Sequence, residues 1–285
     1  MTTSTPQVIA CIDGSKLTES VCDYAAWIAK KTAAPLNLLH TINHHHEAAL
    51  KTDITGNIGL GSQEQLRDEI ARLEAEQSKL KLKQGKLLLE AAKKRVQAVG
   101  IEAPVCTKRH GDLIEAVIEM EPLVRVLVLG LRGQVHQDQA QQIGAKLEAI
   151  IRSLHKPIFI VNQPFKQPQR LMLAYDGGKA AEKAVDMVAT SPLYKNKICH
   201  LVCVNKDETL LQKAVKKLKA SELAELTPVQ LNGKPETVLW DYQQQHDIDL
   251  VVMGAFSHTR LHEMLLGSFT HKMLIKAQKP ILLLR

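Results

Sequence analysis

The sequence contains the same pattern twice, and this repeat restricts the fold more than any other feature. The first copy begins at Val8 with VIACIDGSKLTESVCDYAAWIAKK, and the second begins at Leu171 with LMLAYDGGKAAEKAVDMVATS. Each stretch is typical of a buried strand that ends in Asp-Gly and is followed by a helix rich in small residues. Asp13 and Asp176 therefore occupy equivalent places in the two copies.

The correspondence continues along both copies. The later matches are 37–43 with 199–205, 105–119 with 228–242, 125–133 with 249–257, and 156–162 with 279–285. Continuous Val, Ile and Leu strands that alternate with amphipathic helices are typical of a parallel sheet covered on both faces. We therefore predict an α/β protein made of two tandem copies of an open, doubly wound five-stranded parallel sheet. The expected strand order is 3-2-1-4-5, with helices on both faces of each sheet.

The repeat also predicts the domain boundaries. The first domain would span 1–162 and would contain an inserted helical segment at about 44–98. A linker at 163–169 carries Pro164 and Pro168, which interrupt regular structure. The second domain would span 170–285, and 285 residues are enough for two domains of ordinary size.

The inserted segment carries a pattern of its own. Its repeating positions step by four and three, as in a coiled-coil seam: Leu66, Ile70, Leu73, Gln77, Leu80, Gln84, Leu87 and Ala91. An unbroken helix over 64–98 would be about 50 Å long at 1.5 Å per residue. Such a length favours a partner helix, from another chain or from the second half. The alternative is that Gly85 divides the segment into two ordinary surface helices.

Composition and charge exclude several classes of protein. Residues 1–169 hold 21 basic and 18 acidic side chains, and residues 170–285 hold 16 and 12, so the net charge of +7 is spread thinly. This distribution does not predict a nucleic-acid surface. No apolar run reaches the roughly 18 residues of a membrane span, and five cysteines without compact spacing are typical of a reducing cytosol. We expect a cytoplasmic protein that binds neither nucleic acid nor membrane.

Glycines and hydroxyl residues in the second copy predict an anion site. In a doubly wound sheet, ligands bind beyond the carboxyl ends of the strands where the strand order reverses, and Asp176 and Gly254 end the two strands that meet there. Gly267 and Ser268 precede the next helical pattern, whose N-terminus offers free N–H groups to a phosphate. Thr270 adds a second hydroxyl. Ordinary turn and N-cap chemistry would explain the same residues, so both interpretations stay open.

These motifs resemble the universal stress protein family, specifically its tandem two-domain members. The resemblance rests on the repeated strand-Asp start, a Gly-Xaa-Xaa-Gly-(nine residues)-Gly-Ser loop and the closing KPILLL strand. It implies an open α/β sheet, dimeric assembly in single-domain members, and ATP binding in members that have the glycine loop. In this chain Ser257 replaces the second glycine of that loop and places a Cβ there.

The resemblance also implies roles for single residues. Asp176 would contact the adenosine part of the nucleotide, and Cys203 would lie beside the adenine. The residues implied around the ribose and phosphates are Gly254, Ser257, Gly267, Ser268, Phe269 and Thr270. The implied cofactor is ATP, with or without Mg²⁺.

A weaker site is predicted in the first copy. Its candidate residues are Asp13, Gly130, Gly133 and Gly144. Ala145 stands where the second copy has the serine, and Glu148 near the start of that helix would repel a phosphate. We expect at most one good nucleotide site per chain, in the second half.

Other motifs do not predict catalysis or a metal site. His44, His45 and His46 follow the second strand, but a polar loop explains them better than a metal site, because they lack spaced partners. The sequence has no Gly-Xaa-Ser-Xaa-Gly elbow and no Walker loop. No catalytic residue is assigned, and any ATP turnover would be slow.

Two functions follow from these patterns. The first is a stress-response regulator in which an adenine nucleotide in the second half changes the contact with a protein partner. The second is a nucleotide-free interaction or assembly module that acts through dimerisation or through the 64–98 helix, and Ser257 and Ala145 favour it. Either function is compatible with a homodimer or with an intramolecular pseudo-dimer.

Overall fold

The computed structural model describes residues 5–42, 60–133, 144–255 and 268–285, and in its longest helix the side chains are described from Asp68 onward. The first half of the chain contributes five strands: β1 Gln7–Cys11, β2 Leu36–Ile42, β3 Val105–His110, β4 Val124–Gly130 and β5 Ile158–Val161. Its described helices are α1 Thr18–Thr32, α2 Leu60–Ala98, α3 Leu113–Glu119 and α4 Ala145–Ser153. The strands pair in parallel in the order β3-β2-β1-β4-β5.

The second half repeats this arrangement. Its strands are β6 Arg170–Ala174, β7 Ile198–Val204, β8 Glu225–Leu231, β9 Leu250–Gly254 and β10 Ile281–Leu284. Its described helices are α5 Lys179–Thr190, α6 Glu208–Leu218, α7 Pro235–Gln245 and α8 Ser268–Ile275. The strands pair in parallel in the order β8-β7-β6-β9-β10. The predicted α/β class is confirmed.

The two halves join edge to edge into one ten-stranded sheet. β5 and β10 pair antiparallel, with Phe159 opposite Leu282. These two residues are equivalent in the repeat, and their neighbours exchange places across them: Ile158 faces Leu283 and Ile160 faces Ile281. Equivalent surfaces that meet in this way form an isologous contact, so the halves make a pseudo-dimer within one chain.

An apolar layer covers each face of the sheet and continues across the junction. One layer packs α1, α2, α5 and α6 on the strands, and the other packs α3, α4, α7 and α8. Successive residues of β1 alternate between them: Val8 and Ala10 lie in the first layer, and Ile9 and Cys11 lie in the second. Strands buried on both faces explain the continuous apolar runs in the sequence.

α2 is one continuous helix of 39 residues, so the alternative in which Gly85 divides it is wrong. Gly85 is buried where the helix crosses β2, and a Cβ at this position would lie 2.7 Å from Cδ2 of His40. His40 is held there because its Nδ1 donates a hydrogen bond of 2.6 Å to the carbonyl oxygen of Ile12. The glycine therefore permits a close approach of helix and strand, and it does not end the helix.

Gly85→Ala is expected to lower the free energy of unfolding by about 1 kcal/mol, because the new methyl group displaces His40 from its hydrogen bond. In a His40→Ala background the same change should stabilise the protein by about 0.5–1 kcal/mol, the ordinary gain in helix propensity. Urea denaturation of the four variants measures the coupling. An effect of the same sign in both backgrounds would contradict the steric explanation.

The segment between the halves, 162–169, has no helix or strand and is bound to both halves through Lys166. The Tyr24 hydroxyl of α1 lies 3.3 Å from both the amide nitrogen and the carbonyl oxygen of Lys166. The Lys166 ammonium lies 2.9 Å from Oδ1 of Asp249, just before β9. Lys166 therefore ties the linker to the first half through its backbone and to the second half through its side chain.

Candidate functional site

Three of the predicted site residues lie side by side at the carboxyl edge of the second half. Ala174 of β6 pairs with Val202 of β7 on one side and with Met253 of β9 on the other. Cys203 and Gly254 are the next residues of β7 and β9, and Asp176 follows Ala174 by two residues, so the three lie at one edge of the sheet. This part of the edge lies where the strand order reverses.

Asp176 shapes the turn that starts α5. Its Oδ1 accepts a hydrogen bond of 2.9 Å from the amide of Gly178, and Gly177 adopts a left-handed φ of +82°. The first half repeats this geometry, because Oδ1 of Asp13 accepts a hydrogen bond of 2.9 Å from the amide of Ser15. A carboxylate that caps its own turn is sufficient reason for an aspartate at both positions.

The space around Gly254 is filled by the protein itself. A Cβ at this position would lie 2.8 Å from the amide nitrogen of Ala181 and 2.9 Å from Cβ of Ala180. The first turn of α5 therefore packs directly on the end of β9, and only glycine permits this contact. In the first half, a Cβ at Gly130 would have 3.4 Å to its nearest atoms, so the packing there is looser.

Cys203 lies within the apolar layer on one face of the sheet. Its side chain is fully buried, and burial, followed by the charge of Asp176, raises the pKa of the thiol to about 11. The thiol is therefore protonated at neutral pH and is not a nucleophile.

Helix α8 begins at Ser268, at the same edge of the sheet. A crossover helix between parallel strands starts where the first strand ends, so the N-terminus of α8 follows the carboxyl end of β9. Ser268 is exposed, Phe269 packs on the apolar layer beneath the sheet, and Thr270 is 2% exposed. Gly267 and Ser257 lie outside the described residues. Ser268 is thus the one member of this trio that is exposed to a ligand.

The weaker first site keeps part of this arrangement. A Cβ at Gly133 would lie 3.4 Å from Oδ2 of Asp13, so the loop after β4 reaches the turn after β1. Gly144 forms the N-cap of α4, and Glu148 lies in the first turn of that helix. A carboxylate near a helix N-terminus stabilises the helix and repels an anion.

The sequence patterns do not indicate two apolar contacts at the glycines that follow Asp176 and Asp13. In the second half, Leu210 of α6 covers Gly177, where a Cβ would lie 2.8 Å from its Cδ1. In the first half, Leu88 of α2 covers Gly14 in the same way, at 3.2 Å. Both leucines come from the helix that follows the second strand, so only an alignment of the two copies through the insertion could have indicated the equivalence.

A polar network beside the second site was also missed. The Tyr175 hydroxyl lies 2.5 Å from Oε1 of Glu182, and Lys213 and Lys217 of α6 lie 2.9 and 2.8 Å from the same carboxylate. The bonds from Lys217, Tyr175 and Lys213 lower the pKa of Glu182 to about 2. This carboxylate stays ionised and fastens α5 to α6.

The described ranges contain neither a cluster of metal-binding side chains nor a membrane-spanning helix. No group of three or more His, Cys, Asp or Glu side chains within them is arranged to hold a metal ion. None of the helices described combines the length and apolar character required to cross a membrane. His44, His45 and His46 lie outside the described residues.

Both halves of the chain match the model of one protein family. The model of the universal stress protein family matches residues 5–162 and 204–285. The chain belongs to this family. Universal stress protein Slr1230 of Synechocystis sp. is 30% identical over 98% of this chain and 99% of its own length.

Solved structures agree in fold with this universal stress protein. A universal stress protein from Archaeoglobus fulgidus superposes with a TM-score of 0.71 at 15% identity, over 99% of this chain and 97% of that one. A putative universal stress protein from Pseudomonas aeruginosa superposes with a TM-score of 0.59 at 13% identity, over 99% and 94%. At these identities the likeness concerns the fold alone.

Proposed function

We propose that this universal stress protein is a stress-response regulator that binds an adenine nucleotide, ATP, at the carboxyl edge of its second half. The observation that supports the proposal is the position of helix α8. Its N-terminus, with Ser268 exposed, lies at the edge where Asp176 and Gly254 meet. Free N–H groups and the positive end of the helix dipole at such a place favour a phosphate.

Each half would act as one domain, 1–162 and 170–285, with 163–169 as the linker. Asp176 would contact the adenosine, Cys203 would line the adenine side, and Ser268 would donate to a phosphate. Mg²⁺ would accompany the phosphates of the nucleotide. The nucleotide would act as a signal to a protein partner, and no residue is proposed as a catalyst.

Calorimetric titration with ATP and magnesium tests this proposal, after denaturation of the protein shows whether nucleotide co-purifies. Ser268→Asp is expected to weaken binding roughly tenfold or more, because it sets a carboxylate against the phosphates. The substitution suits a helix N-terminus, so the fold should persist.

Ala145→Asp provides the matched control, since Ala145 is the exposed first residue of the corresponding helix in the first half. It should leave the affinity for ATP unchanged. Loss of binding in Ala145→Asp alone would move the site to the first half. No binding at millimolar ATP, together with no co-purified nucleotide, would reject the proposal.

One observation favours the second candidate, the nucleotide-free assembly module. Helix α2 is continuous and displays large apolar side chains to solvent, among them Leu80 at 65% exposure. Ser257 in place of the loop's second glycine points in the same direction. Retained self-association in a protein that does not bind ATP would support this candidate.

A further inference from the structure

Helix α2 has two faces with different surroundings. One face packs on its own half through four buried residues: Gly85, Leu89, Ala92 and Val96. At about 100° per residue, these positions lie roughly opposite to Leu80 on the helix. The face on the far side carries Leu73, Leu80 and Leu87, which are 54%, 65% and 57% exposed.

Among the described residues, these leucines are the most exposed of the large apolar side chains. The other exposed ones reach at most 44%. The seven-residue spacing of the leucines keeps them in one line along the helix. Ile70, which is partly exposed, extends the line towards the N-terminus. We refer to Ile70, Leu73, Leu80 and Leu87 as the leucine stripe. A line of apolar side chains on a long exposed helix is typical of an interaction surface, although Gln77 and Gln84 interrupt this one.

Charges beside the stripe change sign along the helix. Exposed acidic residues lie in the N-terminal part, Glu69, Glu74 and Glu76, with the exposed Arg72 among them. Exposed basic residues follow, Lys79, Lys81, Lys83 and Lys86, and the exposed Glu90 comes after them. A helix that is mainly acidic in one part and mainly basic in the next complements a second copy of itself that runs in the opposite direction.

We propose that two copies of this chain associate through the leucine stripe as an antiparallel two-helix coiled coil, centred between Ser78 and Lys79. With this centre, Leu80 of one copy faces Gln77 of the other. Leu73 then faces Gln84, and Ile70 faces Leu87. Each layer therefore contains at least one apolar stripe residue.

The antiparallel direction follows from the flanking charges. Glu74 lies beside Lys81 of the second copy, Glu76 lies beside Lys83, and symmetry repeats both pairs. One adverse contact, Glu69 with Glu90, is also repeated.

A parallel pair would be less favourable. It would retain one attractive contact, Glu76 with Lys81, and would set Glu69 against Glu74. It would also place Gln77 and Gln84 opposite themselves. Within its own chain Glu76 lies 3.5 Å from Arg72, an exposed contact that contributes little and leaves the carboxylate accessible.

The fold leaves this surface available while it closes another. β5 and β10 pair with each other inside the chain, so the strand edges that join the two repeats cannot pair with a second copy. Association through α2 does not depend on nucleotide binding, since the stripe lies on an insertion in the first half and the proposed nucleotide edge belongs to the second.

Sedimentation velocity of the full chain at micromolar concentration tests the interface. The expected mass is twice the 31.6 kDa of one chain. Leu80→Glu should raise the dissociation constant roughly tenfold or more, because a carboxylate enters the apolar seam. Ala75→Glu should leave it unchanged, since Ala75 is exposed off the stripe. Circular dichroism should show that both variants are folded. A monomeric parent chain, or a dimer insensitive to Leu80→Glu, would overturn the proposal.

The direction of the helices has a separate test. A spin label is placed at Asp68→Cys in a Cys106→Ser background, because Cys106 is the exposed cysteine and the other four are buried. In the antiparallel pair, position 68 of one copy lies opposite position 89 of the other. Two labels at position 68 are then separated by about 30 Å along the axis at 1.5 Å per residue. A parallel pair would bring them level, and a separation below about 25 Å would overturn the antiparallel arrangement.

Discussion

Phe159→Ala is expected to lower the free energy of unfolding by about 3–5 kcal/mol, the usual cost of removing a fully buried aromatic side chain. Phe159 is 0% exposed and lies in β5, opposite Leu282 of β10. Its ring centroid is 5.2 Å from that of Tyr24 and 6.5 Å from that of Trp27. The substitution therefore opens a cavity at the axis that relates the two halves.

Urea denaturation followed by Trp240 fluorescence measures this effect from the other half. With Trp27→Phe as the background, Trp240 in α7 is the chain's one remaining tryptophan. Phe165→Ala is the matched control, since this ring also contacts Tyr24, at 4.9 Å, but is 38% exposed. We expect Phe165→Ala to lower the free energy of unfolding by less than about 1.5 kcal/mol, because a partly exposed ring removes less apolar surface from water on folding. An unshifted Trp240 transition in Phe159→Ala would show that the halves unfold independently.

The repeat explains why the fold was predictable from the sequence. Asp13 and Asp176 mark equivalent strand ends because both carboxylates cap the turn that follows. The apolar strands indicated a parallel sheet because side chains on both faces must be buried. These signals depend on residues that are close together in the chain, so they can be recognised in a single sequence.

The contact between the halves could not be predicted in the same way. β5 and β10 have the same apolar pattern as the other strands, so nothing in the sequence marks them as the pair that joins the two sheets. Gly85 shows the same limit within a helix. From sequence alone, a glycine that ends a helix cannot be distinguished from a glycine that makes room for His40. The packing in the folded protein distinguishes them.

The candidate site was predictable as a location and less so in its details. Asp176, Cys203 and Gly254 meet at one edge because the topology places strand ends together. No pattern of residues indicates that Ala180 and Ala181 fill the space over Gly254, or that Leu210 covers Gly177. Packing between helix and strand uses the same small residues as a ligand cradle. The nucleotide role of these residues therefore stays a prediction.

Asp249 is the buried charge that holds the linker on the second half. Its side chain is 7% exposed, and Oδ2 accepts hydrogen bonds from the amides of Gln169 and Arg170 at 3.0 and 3.1 Å. Oδ1 accepts from the Lys166 ammonium at 2.9 Å. Burial alone would raise the pKa of Asp249, but these donors outweigh it and hold the pKa below its ordinary value.

Asp247→Asn is the control for a test of this carboxylate. Asp247 is 86% exposed and lies 3.7 Å from Arg170, so the loss of its charge should cost about 0.5 kcal/mol or less. Lys166→Met removes one donor and leaves the two amides in place. It should therefore lower the free energy of unfolding by less than a substitution of Asp249 itself. This decrease should also depend on salt, because the ammonium is exposed.

Asp249→Asn is expected to lower the free energy of unfolding at pH 7 by about 2–4 kcal/mol, because two amides and an ammonium lose their charged acceptor. Since the folded pKa lies below the unfolded value of about 3.9, this stabilisation is fully present above about pH 5. It is lost progressively as the pH falls from there through the folded pKa. Urea denaturation of parent and variant between pH 7 and pH 2.5 should show a constant difference in the free energy of unfolding above about pH 5 that shrinks below it. A difference that stays constant down to pH 2.5 would mean that the charge of Asp249 does not hold the linker.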